Sequence, residues 1–237
     1  MVIIHGKFEA RDANCNYSSR HYCESIRLLA ARPIVKQDYF IRLCDGGMNR
    51  DEFVRTQQQF FFAVQYFSRP IAALVSRCVD STLRMDLIHN LAEEQGEFRP
   101  AEAHDRTFLQ FLSLLATCDM TNVKEEAPVR AFNAALMGAC LTADRDLAFA
   151  CLGLIEFAFA DISALIGEAV VRRGWVTSNQ LVHYKLHAEI DKRHADEFFA
   201  VLEPAWREGG ARRQRIEQGL AFGHYIFGRL YDDLSIP

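Results

Sequence analysis

His187, Asp191 and His194 recur at i, i+4 and i+7 in the run His187-Ala-Glu-Ile-Asp191-Lys-Arg-His194. At about 100° per residue, a helix gathers these two imidazoles and one carboxylate within roughly 60° of a single face. That face is half of a metal site. The other half is offered upstream by Glu94 in Leu91-Ala-Glu93-Glu94-Gln95-Gly96, by His104 ten positions later, and by Glu156. Glu156 stands in Leu147-Ala-Phe-Ala-Cys-Leu-Gly-Leu-Ile-Glu156-Phe-Ala-Phe-Ala, which is apolar on every helical face, so the carboxylate is buried whichever way the helix turns. A buried carboxylate needs a cation or takes up a proton. Its partner is an arginine, a proton or a metal. Three carboxylates and three imidazoles without a thiolate suit iron or manganese better than structural zinc, and six ligands suffice for two ions with positions left open for dioxygen.

Each fragment alone has an ordinary explanation. His-x-x-x-Asp-x-x-His most often marks a polar helix face, Glu93-Glu94 before a glycine is a solvated helix end, and a buried Glu pairs with Arg. The conjunction across three or four helices carries the metal reading. Glu93 and Glu97 compete with Glu94 as ligands. His89 and His183, near helical neighbours of Glu93 and His187, are expected to be hydrogen-bonding supports or surface residues.

The elements that position these residues read as helices nearly throughout, with no alternating strand candidate. Residues 1–17 read as loosely ordered, and residues 18–237 as one all-α domain. Helices are expected from about Ser19 to Ala31, in a short segment ending at Asp45-Gly46-Gly47, and from a capping box at Asn49 and Glu52 through a kink at Pro70. Further ones are expected at about Ser81 to Gln95, Pro100 to Cys118, Pro128 to Leu141 and residues 145–172. Two more run from Ser178 or Asn179 to a bend or end at Pro204, and from Leu220 to Leu230.

Composition bounds the class. Half of the 237 residues are hydrophobic, with 18 Phe, enough to bury a substantial core. Twenty-seven basic against 31 acidic residues give −4, no footprint for nucleic acid or an anionic membrane surface. The densest basic stretch, Arg207 to Arg215, is interrupted by Glu208 and reads as a solvated helix end. Cysteines at 15, 23, 44, 78, 118, 140 and 151 form no close pair, which fits a reducing cytoplasm. No signal peptide is evident, and the longest apolar stretch reads as interrupted by Glu156 and Asp161, too short to span a bilayer.

In the order Asn90-Leu-Ala-Glu-Glu94-Gln-Gly96, His104 with Phe108 and Phe111 after it, Leu152-x-x-x-Glu156, and His187-x-x-x-Asp191-x-x-His194, the sequence resembles the heme-oxygenase-like diiron oxidases and oxygenases. The similarity spans about residues 30–205. It implies a bundle of about seven helices in which Glu94, His104, Glu156, His187, Asp191 and His194 hold two iron ions, with dioxygen as co-substrate. Family activities include N-oxygenation of amines, oxidative fragmentation of amino acids and decarboxylation of fatty acids. A small amine or amino-acid-like substrate is preferred here, since nothing in the sequence marks a long alkyl tunnel. An external electron donor and a homodimer are compatible with the resemblance.

Gln58, Phe62, Gln65 and Tyr66, on the long helix expected to face the site, are the candidate substrate pocket, although ordinary core explains each Phe better. Other readings use the same architecture without six metal ligands. These are cofactorless enzymes like pyrroloquinoline-quinone synthase or thiaminase II, and heme oxygenase itself, for which His21 is an unconvincing axial ligand. A ferritin-like diiron site needs two Glu-x-x-His motifs, and none occurs. A metal-free helical interaction protein would instead pair Glu156 with Arg.

Overall fold

The computed structural model describes residues 20–117 and 119–236. The expectation for residues 1–17, together with Cys15, the side chain of His21 and Cys118, lies outside the described residues. Two helices, α1 (Arg20–Ala31) and α2 (Asp38–Asp45), lead into α3 (Arg50–Arg77). Asn49 caps α3 by accepting from the Glu52 backbone N–H at 2.9 Å. The Glu52 carboxylate turns instead to Arg42 at 2.5 Å, so only half of the expected capping box forms. α3 continues through Pro70 to Arg77. It is followed by α4 (Ser81–Glu94), α5 (His104–Leu115), α6 (Ala127–Thr142), α7 (Arg145–Arg172), α8 (His183–Glu208) and α9 (Gly210–Leu234).

Nine α-helices and no strand occur among the described residues, against the seven that the resemblance implied. Three helices are bounded differently from the sequence expectation. α5 starts at His104 instead of Pro100, because Gly96, Glu97 and Phe98 hold the left-handed backbone (φ 66°, 52° and 64°) and form a turn. α8 starts at His183, after a 3-10 turn at Ser178–Gln180, and runs past Pro204 to Glu208. Losing one backbone hydrogen bond to proline does not end a helix whose apolar face is buried. Gly209, at φ 76°, makes that break, and α9 therefore begins ten residues earlier than Leu220.

α7 is the axis of the fold. Asp144 caps it, accepting from the Asp146 N–H at 2.9 Å. Every residue from Ala148 to Ala160 is buried, which accounts for an apolar sequence on all helical faces. Contrary to the sequence expectation, Glu156 and Asp161 do not shorten it. α7 is long and apolar enough to cross a membrane by length and composition, yet 83% of its most apolar window is buried inside the fold.

α8 and α9 pack along two sides of this axis. Gly219 and Gly223, one turn apart on α9, let the two backbones touch: a Cβ at Gly219 would lie 2.4 Å from the Leu147 carbonyl oxygen, and one at Gly223 2.7 Å from that of Cys151. Arg212 ties the start of α9 to the start of α7 through two hydrogen bonds to Asp146, at 2.8 and 2.9 Å.

Candidate metal centre

Where α7 and α8 run side by side, Glu156 meets the face that carries His187, Asp191 and His194. All four are at most 5% exposed. The remaining two candidates come from a helix end and a helix start. Glu94 is the last residue of α4 and His104 the first of α5, joined by the turn through Gly96. A Cβ at Gly96 would lie 2.4 Å from Ala103 N, so only glycine lets the loop close tightly enough to bring these side chains together. Left-handed backbone at Glu97 and Phe98 costs of order 1–3 kcal/mol each, the kind of strain that concentrates at functional sites.

The six side chains converge. One ligand-type atom each of Glu94, Glu156 and His194 lie within 4.8 Å of one another. His104 Nδ1 is 3.1 Å from Glu94 Oε2, at an angle unsuited to a hydrogen bond. His187 Nδ1 is 2.9 and 3.2 Å from the two Asp191 oxygens. His194 Nδ1 is 3.8 Å from Glu156 Oε1. Each imidazole thus turns Nδ1 toward a carboxylate, and the His104 and His187 rings are 4.4 Å apart. No arginine ion pair reaches Glu156 among the described residues.

Charge within the cluster is unevenly settled. Burial pushes Glu156 up to about 7, reinforced by Asp191. Burial likewise holds Asp191 well above the usual carboxylate range. Glu94 is pushed up by burial too, but the charge of the neighbouring His104 outweighs it and holds the group at about 2. Burial and the neighbouring His104 lower His187 to about 3. For His194, burial lowers the value, but Glu156 and Glu93 overcome it and raise the group to about 10.

Three buried atoms here, Glu156 Oε1, His104 Nδ1 and His194 Nδ1, have no hydrogen-bond partner. Native interiors leave few such atoms. Lone pairs of oxygen and nitrogen, unpaired and gathered in one dry place, fit a divalent transition metal, with imidazole and carboxylate suited to iron.

Adjacent glutamates separate cleanly. Glu94 is 5% exposed and faces the cluster. Glu93 accepts from His194 Nε2 at 2.8 Å on the far side of that ring and from Arg193 at 2.5 Å. Glu97 is exposed; with Glu93 and His89 it forms a second acidic group at the surface.

His183, expected to be a support or a surface residue, is fully buried, and its Nδ1 lies 2.9 Å from Thr107 Oγ1. Tyr184 is buried as well, donating to Gln57, which in turn donates to Tyr39 at 2.8 Å. Lys185 points outward.

A cavity of about 40 Å³ opens beside the cluster. Its acidic end holds Glu94, Glu156 and His187, and its wall is formed by Phe60, Ala63, Val64 and Phe67 of α3 with aromatic rings from α6, α7 and α9. Of the α3 residues expected to form a substrate pocket, Gln58, Phe62, Gln65 and Tyr66, none lines this cavity, and Gln65 is exposed. The lining positions follow the apolar i, i+3, i+4, i+7 stripe beginning at Phe60, a signal present in the sequence. Glu93 and Thr107 carried no comparable signal.

A family model described as iron-containing redox enzyme matches residues 54–223. No curated protein matches the chain. Among solved structures, a CADD-like protein of unknown function from Nostoc punctiforme PCC 73102 superposes with a TM-score of 0.75 at 12% identity, covering 90% of this chain and 95% of that one. A domain of unknown function with a heme oxygenase-like fold from Shewanella denitrificans OS217 gives 0.71 at 15% identity, over 90% and 89%. A TenA family transcription regulator from Silicibacter sp. TM1040 gives 0.66 at 14% identity, over 89% and 96%. At these identities the likeness establishes a heme oxygenase-like fold.

Proposed function

Because the chain belongs to the family of iron-containing redox enzymes, we propose that Glu94, His104, Glu156, His187, Asp191 and His194 hold two iron ions and that the protein uses dioxygen to oxidise a small amine or amino-acid-like substrate. The observation that carries this reading is the mutual approach of Glu94, Glu156 and His194 within 4.8 Å, all buried and without a guanidinium. Bound ferrous iron supplies the electrons that dioxygen needs before it can react with a closed-shell substrate.

The chain's own residues do the rest. Nδ1 of His104, His187 and His194, already turned inward, provide nitrogen ligands, while the three carboxylates offset the positive charge. Glu93 fixes His194 by accepting from its Nε2, which leaves Nδ1 for the metal. Phe60, Phe67, Phe132, Phe159 and Phe227 keep bulk water away from the cluster. A cavity of about 40 Å³ favours a short substrate over a long alkyl chain. In N-oxygenation one oxygen atom of dioxygen enters the amine and the other leaves as water, with two electrons drawn from an external donor and two protons from solvent.

The test is metal analysis of the purified protein, followed by anaerobic loading with ferrous iron and exposure to oxygen with short amines, amino acids or fatty acids. The expected result is about two irons per chain and substrate-dependent oxygen consumption with the first two classes. A protein that binds no iron, or one that consumes oxygen only with fatty acids, overturns the respective half of the proposal.

A further inference from the structure

His183 lies one helical turn before His187 on α8 and is fully buried. Its Nδ1 sits 2.9 Å from Thr107 Oγ1, and that same hydroxyl sits 3.0 Å from the His104 carbonyl, to which it donates. A hydroxyl has one proton to give, and a carbonyl only accepts. Both contacts are satisfied together only when His183 carries its proton on Nδ1 and donates it to Thr107. The Nε2 of His183 is then a bare lone pair, and no hydrogen bond reaches it. His187, its ring 4.3 Å away, uses Nδ1 for Asp191 and also leaves a buried Nε2 without a partner. Both nitrogens are buried, with Phe108 packed against the His183 ring and Phe159 against the His187 ring.

We propose that His183 is a positioning residue that readies His187 for metal binding. A neutral imidazole that binds a metal through Nδ1 must carry its proton on Nε2, so His187 changes tautomer with no net loss of a proton. The proton on Nε2 then needs an acceptor, and the bare Nε2 of His183, whose ring centre lies 4.3 Å away, is the buried acceptor assigned to it. The resulting chain runs from His187 through His183 and Thr107 to the backbone of His104, linking two of the candidate ligands. This inference rests on the metal reading above.

Titration with cobalt(II) against a competing chelator, read by visible absorption, tests it in His183→Phe, His183→Gln and Thr107→Val. The expected result is a loss of about 10–100-fold in affinity for one equivalent in His183→Phe. His183→Gln, whose side-chain oxygen accepts, recovers part of that loss. Thr107→Val frees the tautomer and shows a smaller loss in the same direction, with far-UV circular dichroism unchanged. Wild-type affinity and absorption in His183→Phe overturn the proposal, as they do in Thr107→Val should the first variant not fold. A wild-type chain that takes up no metal removes the metal reading and this role with it, whereas loading that is identical in wild type and variants removes the role of His183 alone.

Discussion

Glu93 and His194 meet at 2.8 Å through the ring nitrogen that faces away from the cluster. Glu93 is in turn held by Arg193 at 2.5 Å, so a surface ion pair leads directly to a buried candidate ligand. Glu93→Gln keeps the size of the side chain but replaces a charged acceptor with a neutral amide. The expected outcome is iron affinity lower by about 10–100-fold with the helical content unchanged, measured by chelator competition.

Glu156 is buried with Asp191 and Glu94 beside it, and burial holds it near 7. In the metal-free protein, Glu156→Gln removes a charge that the interior resists. Because Glu93 remains to hold the charged His194, the variant's melting temperature should rise by about 2–4 °C, the equivalent of about 1 kcal/mol for a chain of this size. The same variant should lose iron. A lower metal-free melting temperature would mean that Glu156 is there for stability.

His194 has a folded-state value of about 10 against an ordinary 6.5. Its charged form therefore contributes stability that is full below pH 6.5 and lost as pH rises through 10. Without metal, the wild type should exceed His194→Gln in melting temperature at pH 6, and the gap should close by pH 10. Metal binding needs the unprotonated ring, so iron affinity should move the other way and rise with pH.

Ala63 is the smallest side chain in the cavity wall. Ala63→Leu narrows a space of only about 40 Å³ without touching a candidate ligand. Iron content should stay at the wild-type level while substrate-dependent oxygen consumption falls by about tenfold or more, the equivalent of about 1.4 kcal/mol in the barrier. Equal loss of iron and turnover would place the cavity outside substrate binding.

Gly219→Ala drives a methyl group into the Leu147 carbonyl at 2.4 Å. The α7 and α9 backbones must then separate, at about 1–3 kcal/mol. A drop of several degrees in melting temperature, with the metal site intact, is the expected reading.

Much of this was legible in the residues themselves. The i, i+4, i+7 triad on α8 and a glutamate inside an all-apolar helix are local patterns, and helix geometry alone puts each on a definite face. Glu94 and His104 were legible as candidates because a glycine break separates them, but the choice between Glu93 and Glu94 depended on how α4 ends. Neighbouring helical residues differ by about 100°, so a small change in that end exchanges their roles. The cavity face of α3 differs from the expected pocket face for a related reason. Gln58, Gln65 and Tyr66 look like pocket residues by their chemistry, whereas the apolar stripe through Phe60, Ala63, Val64 and Phe67 looks like core. The role of Thr107 arises from a contact across 76 positions, to which no local pattern corresponds.

The helices that cover α7 on two sides, α8 and α9, both follow it in the chain. During synthesis a greasy rod long enough to pass for a bilayer anchor therefore emerges before its wrapping exists. Until residues 173–237 arrive, the nascent polypeptide is exposed to aggregation and to misdirection by membrane-targeting machinery. Released chains truncated near Gly174 should accordingly bind chaperones, and full-length chains should let them go.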